Sequence, residues 1–95
     1  MNKDMWYVSV IGQAKKAKKN LPSKTHNTFT LLLFELEAGP IKTNWPNFSD
    51  LKGMKGHYHC HIEKGRPTYV ACWTVDKTTR TIEVYYAGTH EKAPY

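Results

Sequence analysis

Histidines near predicted strand ends are the strongest candidates for chemistry in this sequence. His61 lies near the end of one alternating run, His59 precedes it on the same strand face, and His90 ends the segment Gly88-Thr89-His90. Imidazole exchanges a proton near neutral pH, so a histidine pair suits acid and base roles in one reaction. Metal-free RNA cleavage needs such a pair, because a base removes the 2′-hydroxyl proton and an acid protonates the leaving 5′-oxygen.

The same reaction also needs cations that stabilise the charge of the phosphorane. Arg66, in the turn after His61, is the preferred candidate because its planar guanidinium matches two phosphate oxygens at once. Lys64 is the second choice. Tyr95 could stack on a base or donate a proton if the tail is ordered. The predicted catalytic residues are therefore His59, His61, Arg66, His90 and Tyr95.

The positive charge of the sequence is concentrated near its beginning. Lysine and arginine number 14 against 8 acidic residues, which gives a formal net charge of +6. Five of the lysines lie in residues 15–24, and no acidic residue occurs in residues 5–34. An ordinary salt-bridged helix carries both signs of charge, so this stretch favours a surface for phosphates or an acidic partner over a solvated helix face. The predicted RNA-binding residues are Lys15, Lys16, Lys18, Lys19 and Lys64.

Alternating histidines also allow a metal hypothesis. His57, His59 and His61 would present three imidazoles on one strand face, and a His-x-His pair can bind zinc. No carboxylate in matching register completes the set, so we expect no metal and no other cofactor. Cys60 and Cys72 form no Cys-x-x-Cys pair and lie in predicted strands, which favours reduced core thiols.

A single α+β domain over residues 1–95 is expected to position these side chains, because the length suffices for one modest core. The predicted order of elements is β, α, α, β, β, β. Aromatic and β-branched residues 5–10 favour a first strand. Alternating or continuous apolar runs predict the last three strands at residues 57–62, 68–75 and 81–87, as an antiparallel meander.

Two helices are expected to follow the first strand as a hairpin that packs across the sheet. A narrow apolar stripe in residues 14–21 predicts a first helix that ends near Pro22. Ser23 or Thr25 is expected to cap the second helix, and Gly39-Pro40 to stop it. The apolar face of the second helix consists of Phe29, Leu32, Leu33 and Leu36.

Residues 40–55 contain prolines and glycines and are predicted to form a loop. Two large aromatic residues interrupt this polar stretch, Trp45 and Phe48. We expect both to hold the loop against the core rather than to bind a ligand.

Strict strand alternation raises a difficulty for a site that joins His61 to His90. His61 points away from the core-side residues of its own strand, whereas His90 shares the parity of core-side Val84. The two histidines would then lie on opposite faces. Gly88 offers a solution, because a glycine can break a strand and redirect the residues that follow.

The order of elements, with a basic first helix and a final strand that leads to Gly-Thr-His, resembles the RelE/ParE superfamily of small toxins. The stretch from Leu51-Lys52-Gly53 through residues 58–62 to Gly88-Thr89-His90 looks like the YafQ branch, whose members are ribosome-dependent mRNA endonucleases. The resemblance rests on motifs in the second half of the chain and on element order in the first half. It implies a RelE-like βααβββ fold, an antiparallel sheet with a two-helix hairpin on one face.

The motifs of the family carry over unevenly to this sequence. His61 and His90 fall at two of the family's histidines. The family's further histidine, just before Leu-x-Gly, would fall at Ser49 or Asp50. Gly65-Arg66 replaces the acidic and aromatic pair that follows the strand histidine. These departures from the family motifs weaken the prediction of activity more than the prediction of the fold.

The resemblance implies a type II toxin, a ribosome-dependent mRNA endonuclease that represses translation and is paired with a cognate antitoxin protein. Two alternatives remain open: a ParE-like toxin that binds its target without cleavage, and a degenerate regulatory member of the fold. No apolar run approaches the roughly 20 residues that span a bilayer, and the beginning lacks the charged-then-apolar order of a signal peptide. We therefore expect a cytoplasmic protein that acts on mRNA and the ribosome, not at a membrane.

Overall fold

The computed structural model describes residues 5–95, so the first four residues of the predicted domain lie outside it. Within this range the chain forms an α+β fold in which two helices pack on one face of a five-stranded mixed sheet. The predicted α+β class is confirmed. The elements are β1 (Tyr7–Val10), α1 (Gly12–Ala17), a 3₁₀ turn (Lys18–Asn20), α2 (Ser23–Leu36), β2 (Ser49–Asp50), β3 (His57–Glu63), β4 (Tyr69–Asp76), β5 (Thr81–Thr89) and a second 3₁₀ turn (His90–Lys92).

The strands are arranged in the order β1-β5-β4-β3-β2, and β3, β4 and β5 form the predicted antiparallel meander. The predicted antiparallel sheet differs from the structure at one edge, since β1 pairs in parallel with β5 and Val8 lies opposite Ile82. Residues 11–80, which contain both helices and the strands β2, β3 and β4, form the long connection that a parallel pair requires. A second difference is β2, where Ser49 pairs with His59 in the predicted loop. Two residues are too few to show a strand period.

The start of α2 differs from the prediction. Neither Ser23 nor Thr25 caps the helix, because Ser23 is already its first residue and Thr25 is buried within it. Pro22 occupies the cap position with an extended backbone, and its carbonyl accepts the N–H of His26 at 2.8 Å. Proline therefore begins this helix through its fixed backbone angle rather than through a side-chain oxygen.

The apolar face of α2 packs on the sheet as predicted. Phe29, Leu32 and Leu36 are fully buried and share one core with the strand residues Trp73 and Ile82. The opposite side of the helix faces solvent. This core therefore fixes which face of the sheet the helices cover and which face remains open.

The loop before β3 is anchored by its two aromatic residues, which confirms that prediction. Trp45 is buried, and its Nε1 donates to a carboxylate oxygen of Glu35 at 2.8 Å. The ring of Phe48 stacks on Tyr58 and Trp73 at centroid distances of 5.7 and 6.0 Å. The loop is thereby held against α2 and the core, which brings β2 alongside β3.

A β-bulge in β5 changes the direction of its later side chains. Val84 lies opposite Trp73 and Tyr86 lies opposite Cys72, which leaves Tyr85 as an extra residue without a partner in β4. An extra residue in one strand moves every later side chain to the opposite face. From Tyr86 onward the residues therefore face opposite to the direction that simple alternation predicts.

The buried residues reflect this reversal. Val84 and Ala87 both lie in the main core under the helices, although they are three positions apart. Tyr86 lies on the other face of the sheet, in a small cluster with Val70 and Cys72. We call this second side, which the helices do not cover, the open face.

The two cysteines lie on opposite faces of the sheet, which explains why they remain unpaired. Cys60 belongs to the main core and Cys72 to the cluster on the open face. Both are fully buried free thiols. The prediction of reduced core cysteines is confirmed.

Candidate active site

Four aromatic rings meet on the open face. The ring of His61 lies 5.4 Å from that of His90 and 6.1 Å from that of His59, measured between centroids. Tyr95 completes the group, at 4.7 Å from His59 and 6.0 Å from His90. We call these four residues the histidine cluster. They include all but one of the residues that the sequence suggested for catalysis.

The sheet register directs the two β3 histidines to the open face. His59 lies opposite Cys72, and His61 lies opposite Val70. Directly opposed residues share one face of a sheet, and both of these partners belong to the cluster on the open face. The alternation of β3 is thus sufficient to place His59 and His61 side by side.

His90 reaches the same face because of the bulge at Tyr85. The expectation that Gly88 breaks the strand is wrong, since β5 continues through Gly88 to Thr89. The reversal has already occurred at Tyr85, so the side chains of later residues keep ordinary alternation. The N–H of His90 then donates to the carbonyl of Thr68 at 2.8 Å, which fixes the backbone at the start of the second 3₁₀ turn.

Gly88 has a different function from the one expected. A Cβ atom at this position would lie 2.8 Å from the hydroxyl oxygen of Tyr86, closer than Cβ atoms approach other groups. That hydroxyl donates to the carbonyl of Thr89 at 2.7 Å. Gly88 therefore leaves room for a hydrogen bond that holds the end of β5 beside His90.

Sequence reasoning did not identify Ser49 as part of this site. Its hydroxyl lies 3.2 Å from Nδ1 of His59 and comes from the short strand β2. The family resemblance suggested a further histidine at Ser49 or Asp50. A hydroxyl group that does not titrate near neutral pH thus contacts His59 at that place.

Burial changes the protonation of the cluster. It lowers the pKa of His61 below the ordinary value, and the positive charges of His90, His59 and Lys64 lower it further. Burial also lowers the pKa of His59; a hydrogen bond with the backbone of Ser49 opposes this effect without outweighing it, and the charge of His90 adds a smaller lowering. Neutral imidazole is therefore the favoured form of both side chains near neutral pH, as a general base requires.

Burial has the opposite consequence for the Tyr95 hydroxyl. It raises the pKa of Tyr95 to about 12, with smaller contributions from neighbouring cysteine and tyrosine side chains. The phenol keeps its proton at neutral pH. Tyr95 can therefore donate a hydrogen bond in this site but cannot act as its base.

The structure separates the two predicted cations of the turn after β3. Lys64 lies near enough to His61 for its charge to lower the pKa of that imidazole. Arg66 is exposed, and within residues 5–95 it makes no hydrogen bond, ion pair or ring contact with the histidine cluster. Arg66 is the one predicted catalytic residue that the fold does not bring into contact with the others.

The predicted lysine surface lies on α1 and the 3₁₀ turn that follows it. Lys15, Lys16 and Lys19 are exposed and Lys18 is half-buried. Among the described residues an ion pair joins Lys24 to Glu63 at 3.5 Å, whereas none is formed by the lysines of α1 and its turn. The four lysines of α1 and its turn are thus not neutralised by acidic side chains of the described chain.

His57, the third alternating histidine of β3, has a structural contact instead of a place in the cluster. Its Nδ1 lies 3.0 Å from the hydroxyl oxygen of Tyr85. In the part of the chain that the structure describes, no group of three or more histidine, cysteine or acidic residues could hold a metal ion. No helix in that part is long and apolar enough to cross a membrane.

Comparisons with known proteins support the fold. No family model and no curated protein matches the sequence. RelE in the RelE–RelB complex of Pyrococcus horikoshii OT3 has 18% sequence identity and a TM-score of 0.74, over 94% of this chain and 99% of that one. The isolated E. coli RelE toxin has 19% sequence identity and a TM-score of 0.72, over 94% of this chain and 88% of that one. Staphylococcus aureus YoeB, solved as a dimer, has 18% sequence identity and a TM-score of 0.72, over 90% of this chain and 98% of that one.

These structures define the class of fold to which the chain belongs. The superpositions cover 90–94% of this chain and 88–99% of each compared chain. The chain therefore has the RelE-like toxin fold, as the sequence resemblance implied. At this level of identity the likeness establishes the fold, and function must be argued from the histidine cluster.

Proposed function

We propose that the protein is the toxin of a type II toxin–antitoxin system and cleaves mRNA at the ribosome without a metal ion. The observation that carries this proposal is the contact between His61 and His90, whose rings lie 5.4 Å apart on the open face. Two titratable groups at that separation can act on one phosphodiester from both sides. The RelE-like fold supports the same conclusion at the level of the superfamily.

In the proposed reaction His61 is the general base and His90 the general acid. His61 takes the proton of the 2′-hydroxyl, and the 2′-oxygen attacks the adjacent phosphorus. The bond from phosphorus to the 5′-oxygen breaks, and protonated His90 gives its proton to that oxygen. The products are a 2′,3′-cyclic phosphate and a 5′-hydroxyl end. The lowered pKa of His61 supports its assignment as the base.

The other members of the cluster bind and stabilise the reacting groups. His59 and the protonated Tyr95 hydroxyl are positioned to donate hydrogen bonds to phosphate oxygens or to contact a base. Lys64, beside His61, supplies a positive charge for the phosphorane. Arg66 would have to turn towards the cluster when RNA binds, because it makes no contact with the cluster in this structure.

The lysines of α1 and of the 3₁₀ turn that follows it are the proposed contact with the RNA backbone. Lys15, Lys16, Lys18 and Lys19 provide charge that single-stranded RNA or ribosomal RNA would neutralise. We place the activity in the cytoplasm, where mRNA and ribosomes occur. The cognate antitoxin would be an acidic protein segment that covers this charge and fills apolar grooves. The nearer likeness to the YafQ branch is part of the proposal and rests on the sequence motifs alone.

One structural observation favours a regulatory or inactive relative as the second candidate. Ser49, a residue without acid or base chemistry at neutral pH, contacts His59 at the place where the family resemblance suggests another histidine. A cluster with fewer titratable groups would bind RNA or ribosomes without cutting efficiently. This candidate and a ParE-like binding toxin both predict that no new RNA ends appear.

Inducible expression with mapping of mRNA ends tests the proposal. Wild type should arrest growth and produce new 5′-hydroxyl ends, whereas His61→Ala and His90→Ala should do neither while remaining folded. Thr30→Ala is a suitable control, because Thr30 is an exposed residue of α2 whose hydroxyl bonds only within the helix. Growth arrest without new RNA ends would favour the binding toxin, and harmless expression of folded wild type would favour the regulatory member.

A further inference from the structure

The side-chain amide of Gln13 pairs with both backbone groups of Ala87. Its Oε1 accepts the N–H of Ala87 at 2.9 Å, and its Nε2 donates to the carbonyl of the same residue at 3.0 Å. These are the groups that a neighbouring strand residue would otherwise satisfy. Gln13 lies in α1, so a helix supplies through a side chain what the sheet lacks at this position.

The pairing continues the edge of the sheet where β1 has ended. β1 stops at Val10, and the N–H of Ile11 still donates to the carbonyl of Val84 at 2.9 Å. Beyond that point β1 no longer covers β5, although Ala87 is fully buried. Backbone groups of a buried residue are costly to leave without partners, and Gln13 satisfies both.

The position of this pairing connects it to the histidine cluster. Ala87 lies two residues after Tyr85, the extra residue of the bulge, and three residues before His90. The bulge reverses the side-chain direction of β5, and the residues just after it must be held for His90 to keep the new direction. A Cβ atom on Gly88 would lie 3.4 Å from Nε2 of Gln13, so the amide fits closely against this part of the strand.

We propose that Gln13 is a positioning residue for His90, whose amide holds β5 after the bulge in the register that sets the His90 ring against His61. The effect on RNA cleavage rests on the proposed function, whereas the effect on ring geometry does not.

Two substitutions grade the interaction. Gln13→Ala removes both hydrogen bonds. Gln13→Glu retains an acceptor for the N–H of Ala87 but loses the donor to its carbonyl and places a carboxylate oxygen against it. His90 should therefore be displaced from its wild-type position in both Gln13→Ala and Gln13→Glu. The control Thr30→Ala, which removes one exposed side-chain hydrogen bond to the backbone, should leave His90 in place.

Ring resonances of the histidines provide a measurement that does not depend on activity. In wild type, NMR cross-peaks should join the rings of His61 and His90, and His61 should titrate below its ordinary value. In both Gln13 variants the cross-peaks should weaken. The pKa of His61 should rise as the charge of His90 moves away, while the effects of burial, His59 and Lys64 remain. Amide spectra of α2 should be unchanged.

Cleavage supplies the second measurement. Both variants should lower kcat by about tenfold or more and leave KM within about twofold, because misplacement by one ångström affects the reacting geometry more than binding. If folded Gln13→Glu keeps the cross-peaks between His61 and His90 and the His61 titration that wild type shows, the proposal is overturned, even if Gln13→Ala does not fold. If wild type cuts no RNA but both Gln13 variants still lose the cross-peaks between His61 and His90, the positioning role is supported and the nuclease function is contradicted.

Discussion

The rings of His61 and His90 lie 5.4 Å apart although the strands that direct them do not pair with each other. β4 separates β3, which carries His61, from β5, which ends just before His90. Their contact therefore depends on the direction of side chains over the open face. In β5 that direction follows from the single extra residue Tyr85. The candidate site is a product of sheet geometry rather than of one local motif.

The packing of α2 on the sheet predicts different effects for two adjacent leucines. Leu32→Ala removes a fully buried side chain and should lower the free energy of unfolding by about 2–5 kcal/mol. Leu31→Ala changes a side chain that is 50% exposed and should cost less than about 1 kcal/mol. Urea unfolding of both variants measures the difference. Equal losses of unfolding free energy in the two variants would contradict the orientation of α2 on the sheet.

The two cysteines should be unreactive in the folded protein. Burial raises the pKa of Cys60 and of Cys72 to about 12, and the charges and hydrogen bonds of neighbours contribute less. Since the thiolate is the reactive form, a disulfide reagent near pH 8 should label neither thiol in native protein and both after unfolding. Rapid labelling of the native protein would contradict the burial of these thiols.

Stability should fall in mildly acidic solution. The pKa values of His59 and His61 lie below the ordinary 6.5 in the folded protein, chiefly because of burial. Below pH 6.5 the unfolded chain therefore binds more protons than the folded one, and the free energy of unfolding decreases as the pH falls. The double variant His59→Gln/His61→Gln lacks this contribution. Urea midpoints between about pH 7.5 and pH 5 should decline less steeply in it than in wild type.

Much of the fold follows from periodic burial. The apolar face of α2 and the alternation of β3 could be predicted because each buried side chain recurs at the period of its element. The bulge could not, because Val84, Tyr85, Tyr86 and Ala87 are all apolar and no polar residue marks the change of face. Sequence alternation therefore put His90 on the wrong side of the sheet.

Pairings between distant segments were also outside the reach of the sequence. The parallel partnership of β1 with β5 joins the two ends of the fold, and the two residues of β2 are too few for a pattern. The contacts of Ser49 with His59 and of Gln13 with Ala87 depend on those pairings. The types of the cluster residues were predictable, whereas the groups that orient them were not.

The lysines of α1 should contribute to RNA affinity through charge alone. The double variant Lys15→Ala/Lys16→Ala should bind RNA more weakly and show a salt dependence shallower by about 1.4 in log–log slope, the value for two single-strand phosphate contacts. Lys77→Ala is the matched control, since Lys77 is an exposed lysine in the turn between β4 and β5. RNA affinity is measured for each variant over a series of salt concentrations. If the α1 double variant and Lys77→Ala lose affinity equally and change the salt slope equally, a localised RNA surface is contradicted.

The central claim is that His61 and His90 cut RNA as a metal-free acid and base pair. Its most direct test is the single-turnover cleavage rate of mRNA on ribosomes stripped of added protein factors, with products identified by mass spectrometry. Wild type should yield 2′,3′-cyclic phosphate and 5′-hydroxyl ends, and His61→Ala and His90→Ala should each be slower by about 10²- to 10⁴-fold. Wild-type rates in either folded variant, or products with a 5′-phosphate, would contradict the account.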